Sequence, residues 1–228
     1  MSLQFCERLT AFERKILANL DKIRCPVHLS LGAEMVSQAI FENVHADDWV
    51  FSTHRNHGHY LAKGGSEDRL WDEIQGLHTG INGGYAGSQC FSDPSINFHA
   101  SSIVGGSVGL AVGAAFALRG SGAVVVACLG DAATEQGIFW ESVNFASLKQ
   151  LPILFICENN GLSINVPIKE RQPSKENIIT SLWWRVSSWG IATPPDIKTG
   201  FKIARKDEPA FVEIKVTREG DHCYFPKR

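Results

Sequence analysis

Several features are missing from this 228-residue sequence, and each absence removes a class of function. No stretch approaches the roughly 18 consecutive apolar residues that a membrane-spanning helix requires. No Lys/Arg block is present and the formal net charge is -2, which argues against nucleic acid as a partner. The six cysteines (Cys6, Cys25, Cys90, Cys128, Cys157 and Cys223) form no CxxC pair, so the spacing of a structural zinc site is lacking. The opening segment, MSLQFCERLTAFERKIL, is charged and has no apolar core, unlike a secretory peptide. Internal repeats and low-complexity segments are also lacking. A reducing cytoplasm is the compartment expected from this cysteine usage.

What is present is a globular pattern. Hydrophobic residues make up 44% of the chain, enough for one sizeable core, so residues 1–228 are expected to form a single domain. Leu9, Phe12, Ile16 and Leu20 share one face of a helix over residues 4–23. Further helices are expected over 33–43 and 66–76, and a long loop over 80–97, rich in Gly, Ser, Asn and Pro. Residues 103–118 (IVGGSVGLAVGAAFAL) suit a helix packed closely against another backbone or a ligand, because glycine is costly in an exposed helix. The runs AVVVACL (123–129), PILFIC (152–157) and AFVEIKV (210–216) read as buried strands, with a helix over 135–149 between the first two. Strand, helix and strand with short joints make a βαβ unit. The fold class is therefore α/β, a mostly parallel sheet with helices on both faces.

The carboxyl ends of parallel strands share one edge of the sheet, where open α/β sheets bind ligands. The first strand of the βαβ unit runs into Gly130-Asp131-Ala132-Ala133 and the second into Glu158-Asn159-Asn160-Gly161. Either motif alone is ordinary: aspartate after a strand caps helices, and Asn-Asn-Gly makes turns. Their joint placement at matching strand ends is what points to a site. One carboxylate and one amide oxygen, with a nearby backbone carbonyl, are hard ligands that suit magnesium. Helix N-terminal amides near Glu135 would receive a diphosphate.

The segment GDAATEQGIFWESVNFASLKQLPILFICENN resembles the thiamine-diphosphate motif: Gly-Asp-Gly, a helix and a strand, then Asn-Asn. The chain is similar over residues 25–222 to the alpha subunit of 2-oxo acid dehydrogenases of the pyruvate, branched-chain and acetoin type. His28–Glu34, Asp48–Gly58 and Ser102–Gly106 extend the likeness beyond the motif. The resemblance implies a thiamine-diphosphate-binding fold and two cofactors, thiamine diphosphate and magnesium. It implies metal binding by the side chains of Asp131 and Asn160 and the carbonyl of Leu162. It implies diphosphate contacts from Gly130, Ala132, Ala133 and Arg55, ring contacts from Ser102 and Val104, and a loop histidine, His222, beside the cofactor. His222 and His57 are the expected catalytic side chains. A beta-type subunit is expected to supply a pyrimidine-binding domain and the activating glutamate, within a heterotetramer. A lipoyl-bearing acyltransferase is a further expected partner.

The sequence departs from that pattern in three places. Ala132 stands where the motif has its second glycine, His54 stands where the family has tyrosine, and the sequence ends at Arg228, which predicts a truncated C-terminal region. Two other readings stay open at this level: the N-terminal half of a split transketolase, or a cofactor-free assembly subunit. His54, His57 and His59 also form an HxxHxH pattern, read here as a mixed loop rather than a zinc site. Trp183, Trp184 and Trp189 are expected in the core or at a subunit interface.

Overall fold

The structure is a computed structural model that describes residues 2–172 and 188–227. Its frame is a six-stranded sheet in the order β2-β3-β1-β4-β5-β8. The strands are β1 (Trp49–Ser52), β2 (Ser92–Asp93), β3 (Phe98–Ala100), β4 (Val125–Gly130), β5 (Ile153–Asn159) and β8 (Ala210–Lys215). All neighbours run parallel except the edge pair β2–β3. A separate two-residue hairpin, β6 (Leu162–Ser163) with β7 (Val166–Pro167), follows β5. The α/β class expected from the sequence is the one observed.

The two central strands explain the register. In β4 and β5 the residues Val125 to Leu129 and Ile153 to Cys157 are all buried, the unbroken apolar run of a strand covered on both faces. On one face lie α1 (Ser2–Ala18), α2 (Glu34–Asn43), α3 (His57–Ala62), α4 (Glu67–Gln75) and α8 (Ile197–Ala204), packed on Val126, Cys128, Leu154 and Ile156. On the other face lie α5 (Gly106–Leu118) and α6 (Gly137–Lys149), packed on Val125, Ala127, Ile153 and Phe155. The pairing ends at Gly130 opposite Glu158, so both strands deliver their next residues to one edge. None of the helices among the described residues is long and apolar enough to cross a membrane.

Some boundaries differ from the sequence reading, each for a local reason. The first helix stops at Ala18, where Asn19 Nδ2 donates to the Lys15 carbonyl at 2.8 Å. The helix expected from Glu135 begins two residues later, at Gly137: Asp131–Glu135 form a 3-10 turn, and extended backbone at Gln136 separates that turn from α6. Residues 80–97 are not one loop, since β2 and a short 3-10 turn, Pro94–Ile96, occupy their end. Helix α4 lies within the expected 66–76 span and is capped at both ends. Ser66 Oγ accepts the Arg69 amide at its start, and Gly76 takes a left-handed conformation, φ 74°, at its end. Trp183 and Trp184 lie outside the described residues; the Trp189 ring meets Trp140 edge-on at a centroid distance of 6.4 Å.

Candidate functional site

At the carboxyl edge of β4 and β5 lies a cavity of about 260 Å³. Its walls bring together segments far apart in sequence: residues 28–33, 53–55, 102–108, 128–133, 158–164 and 216–222 all contribute. Of the residues singled out from sequence, Arg55, Ser102, Val104, Gly130, Asp131, Ala132, Ala133, Asn160, Leu162 and His222 line it. His57 does not.

Asp131 leads the 3-10 turn and is only 2% exposed. Burial raises its pKa, against the pull of Arg171, whose Nη2 lies 2.5 Å from Oδ2. The same guanidinium pairs with Glu135, so Arg171 ties α7 (Ile168–Arg171) to the turn. Asn160 Oδ1 accepts the Leu162 amide at 2.9 Å, an Asx turn that fixes the Asn160 side chain and starts β6. A Cβ added at Gly130 would meet nothing within 4 Å, so the backbone there faces open space. Ala132 is absent from the residues with positive φ, so its methyl imposes no backbone strain. Ile164, at the tip of the β6–β7 hairpin, does sit in the left-handed region, φ 54°. That conformation is costly for a β-branched residue. The Arg218 guanidinium, hydrogen-bonded to the Ile164 carbonyl, helps hold it.

The opposite wall is polar and cationic. Arg55 reaches across the chain: Nη1 donates to the Leu29 carbonyl and Nη2 donates to the His222 carbonyl at 3.3 Å. His28, His54 and His222 pack around it, with ring centroids 4.6, 4.9 and 5.8 Å apart. Burial lowers the His28 pKa to about 3, helped by repulsion from His54 and His222, and lowers His54 to about 4, helped by Arg55. His222 is lowered in the same direction, by burial first and then by Arg55 and Arg218. All three are neutral imidazoles near pH 7, able to accept as well as donate.

The three histidines of the HxxHxH pattern separate. His54 faces the cavity. His57 is fully buried, with Nδ1 3.2 Å from Glu13 Oε2 and Nε2 2.7 Å from Ser88 Oγ. His59 Nδ1 lies 2.8 Å from Ser52 Oγ and Nε2 lies 3.0 Å from Glu158 Oε1. Burial opposes charge on His59, but Cys128 and Glu158 outweigh it and raise its pKa well above the ordinary value. His59 therefore holds Glu158 in place from behind, and Glu158 lines the cavity as a carboxylate that sequence reasoning passed over.

Glu13 and Glu73 were also missed. Glu13 completes a helical stripe with Leu9, Phe12 and Ile16, and Glu73 sits between Leu70 and Ile74 in another; both are fully buried. Glu13 Oε1 accepts the Ser30 amide at 2.8 Å as well as facing His57. Glu73 accepts four backbone amides: Oε2 those of Asn82 and Gly84, Oε1 those of Ala86 and Gly87, at 2.7–3.0 Å. A carboxylate inside an apolar stripe is the signal that could have found both, because buried charge requires partners.

A mostly parallel sheet with a carboxylate and an amide at adjacent strand tips, facing a cavity with an arginine opposite, places the chain among open α/β domains, whose carboxyl edge is where ligands bind. Comparison with known proteins narrows that class. The sequence model of the family described as "Dehydrogenase E1 component" matches residues 4–181, and the chain belongs to that family. It is 37% identical over 155 residues to the alpha subunit of acetoin:2,6-dichlorophenolindophenol oxidoreductase of Cupriavidus necator, covering 66% of this chain and 46% of the relative. The Bacillus subtilis protein of the same name is 38% identical over 146 residues, 63% of this chain and 44% of the relative. The pyruvate dehydrogenase E1 component subunit alpha of Rhizobium meliloti is 35% identical over 199 residues, 86% of this chain and 53% of the relative. The chain thus spans about half the length of the curated relatives it matches.

Proposed function

We propose that this chain is the alpha-type subunit of a thiamine-diphosphate- and magnesium-dependent enzyme that decarboxylates a 2-oxo acid and passes the acyl group to an acceptor. The observation that carries the reading is the meeting, in a member of the E1 family, of Asp131, Asn160 and Arg55 around one cavity at the ends of β4 and β5. The donor set fits the cofactor pair. Asp131, Asn160 and the Leu162 carbonyl offer oxygen alone, the chemistry magnesium selects. The open backbone at Gly130 leaves room for a diphosphate, and Ala132 takes no left-handed conformation that would demand the motif's glycine.

When bound, thiamine diphosphate supplies a thiazolium carbon that adds to the 2-oxo carbonyl and a ring that accepts the electrons left as carbon dioxide departs. The chain's own residues bind and orient. Asp131, Asn160 and Leu162 would hold the metal, with Arg171 sharing the Asp131 carboxylate. Arg55 would present a guanidinium fork to the diphosphate, and the backbone of Gly130, Ala132 and Ala133 would approach it. Ser102 and Val104 would touch the rings. His222, neutral near pH 7, would hold or accept a proton at the reacting end. His57 would act at one remove: its contacts with Glu13 and Ser88 brace the segments carrying Ser30 and Gln89, so its part is positioning rather than catalytic.

The same reading includes a beta-type subunit that brings the activating glutamate and the pyrimidine-binding half of the site, a heterotetramer, a lipoyl-bearing acyltransferase as acceptor, and a cytoplasmic location. Support for a covering partner comes from Ile103, Val104 and Ile164, apolar side chains that line the cavity and are exposed. The family assignment takes the place of the split-transketolase alternative. The test is carbon dioxide release from a panel of 2-oxo acids, with acetoin oxidation alongside because two relatives carry that name. The chain alone, saturated with both cofactors, should be inactive, and addition of a beta-type chain should restore turnover. Robust turnover by the chain alone would refute the split-site reading.

A further inference from the structure

We propose that His28, His54 and His222 form a binding site for a borderline transition-metal cation, Zn2+ in particular, with a ligand set separate from Asp131 and Asn160. One ligand nitrogen from each ring lies within 4.8 Å of the others. The rings come from three segments: the approach to α2, the loop after β1 and the tail after β8. In a tetrahedral zinc site the metal–nitrogen distance is about 2.0–2.1 Å, which places the nitrogens roughly 3.4 Å apart. Closing from separations of up to 4.8 Å to that spacing asks for small ring rotations, and His54 and His222 are only partly buried.

A second, independent observation points the same way. Nδ1 of His28 is buried and has no hydrogen-bond partner, although the residue is only 8% exposed. A buried, unsatisfied polar atom is costly, and a metal shared with the two neighbouring imidazoles would satisfy it. The rings are also in the right protonation state. Histidine binds metal as the neutral base, and burial with mutual repulsion keeps His28 and His54 unprotonated down to about pH 4.

The surrounding charges specify the rest of the coordination shell. Arg55 and Arg218 stand beside the cluster: Arg55 Nη2 donates to the His222 carbonyl, and Arg218 Nη1 lies 3.5 Å from His222 Nδ1. These guanidiniums oppose a bare cation, and the Glu158 carboxylate in the same cavity offsets them only in part. Three protein nitrogens leave one position of a tetrahedral zinc open. With two arginines flanking it, that position suits an anion such as hydroxide, carboxylate or phosphate. The site thus takes Zn2+ together with an anionic fourth ligand. The Asp131 and Asn160 pair, all oxygen, offers zinc no such imidazole set.

This inference goes beyond the proposed function and does not rest on it: it concerns the chain without thiamine diphosphate, in which His222 is free of the proton-handling role given to it above, and no thiamine diphosphate enters its test. Untagged, metal-stripped protein is titrated with Zn2+ by calorimetry and with Co2+ followed by visible absorption. One equivalent of either metal should bind, and cobalt should give the intense bands of a tetrahedral nitrogen site without thiolate charge transfer. His54→Tyr and His28→Gln should each weaken binding by at least about tenfold, the scale on which site perturbations act. Asp131→Asn and Cys223→Ser should leave it unchanged. Thermal melts confirm that each variant is folded. Octahedral cobalt spectra, a titration unaltered in both histidine variants, or loss of binding in Cys223→Ser would overturn the proposal. Cofactor binding, measured separately, reports on the thiamine reading whichever way the metal titration falls.

Discussion

The two walls of the cavity are built by opposite means. The β4–β5 wall rests on strands that are apolar and buried on both faces, and its functional groups appear only where the strands end. The facing wall, made by residues 28–33 and 53–55 and backed by 80–89, rests on buried charge. Glu13 engages Ser30 and His57, Glu73 gathers four amides of the 82–87 segment, and His59 pins Glu158. The first wall follows from the hydrophobic effect and is tolerant of detail. The second depends on each polar group finding its partner in a medium where an unmatched one is expensive. A histidine and arginine surface thereby faces an edge of oxygen ligands.

The contrast can be broken from either side. Glu73→Ala should have the largest effect, a loss of about 3 kcal/mol or more, since four amides lose a charged acceptor at once. Chemical denaturation measures it, and hydrogen exchange should show the 82–87 amides losing protection first. Gly80 sharpens the point: a Cβ there would lie 2.6 Å from Glu73 Oε2, so the turn and the carboxylate are fitted to each other. On the apolar wall, Ile156→Val should cost only about 0.5–1.5 kcal/mol, the range for removing one buried methylene. A loss for Ile156→Val as large as that for Glu73→Ala would remove the distinction between the walls.

The effect that appears only on acidification is a pH slope. The folded pKa values of His28 and His54, about 3 and about 4, lie below the unfolded value near 6.5. The unfolded chain therefore takes up protons first as the solution is acidified. Stability present above pH 6.5 should fall as pH drops through that window toward the folded values. Melting temperature against pH should be flatter between pH 6.5 and 4 in His28→Gln than in the parent protein. Parallel slopes would show that these rings do not carry the shift.

The same contrast decides what was legible in the sequence. Runs such as Ile153–Cys157 announce a two-sided buried strand, and their parallel pairing brought Asp131 and Asn160 into one cavity from spacing alone. Short elements did not announce themselves. β1 has four residues and β3 three, and both owe their strand geometry to neighbours rather than to a periodic pattern. The 3-10 turn at Asp131–Glu135 lies between the strand end and the expected helix, and is too short to show a period of its own. Most of the facing wall was silent because pairing of buried charges is a tertiary fact: nothing local in His57 says that Glu13 and Ser88 will meet it. His54 was noted as a departure from the family's tyrosine, but its meeting with His28 and His222 needed three dimensions.

The proposed role of the β4–β5 edge is to bind a metal and a diphosphate. Calorimetric titration of the folded chain with thiamine diphosphate, with and without magnesium, and of its Asp131→Ala variant, tests this most directly. The predicted result is binding that requires the divalent ion and falls by at least about tenfold in the variant, since the magnesium shell loses its carboxylate. Binding of equal strength without magnesium, or in a folded Asp131→Ala protein, would contradict it.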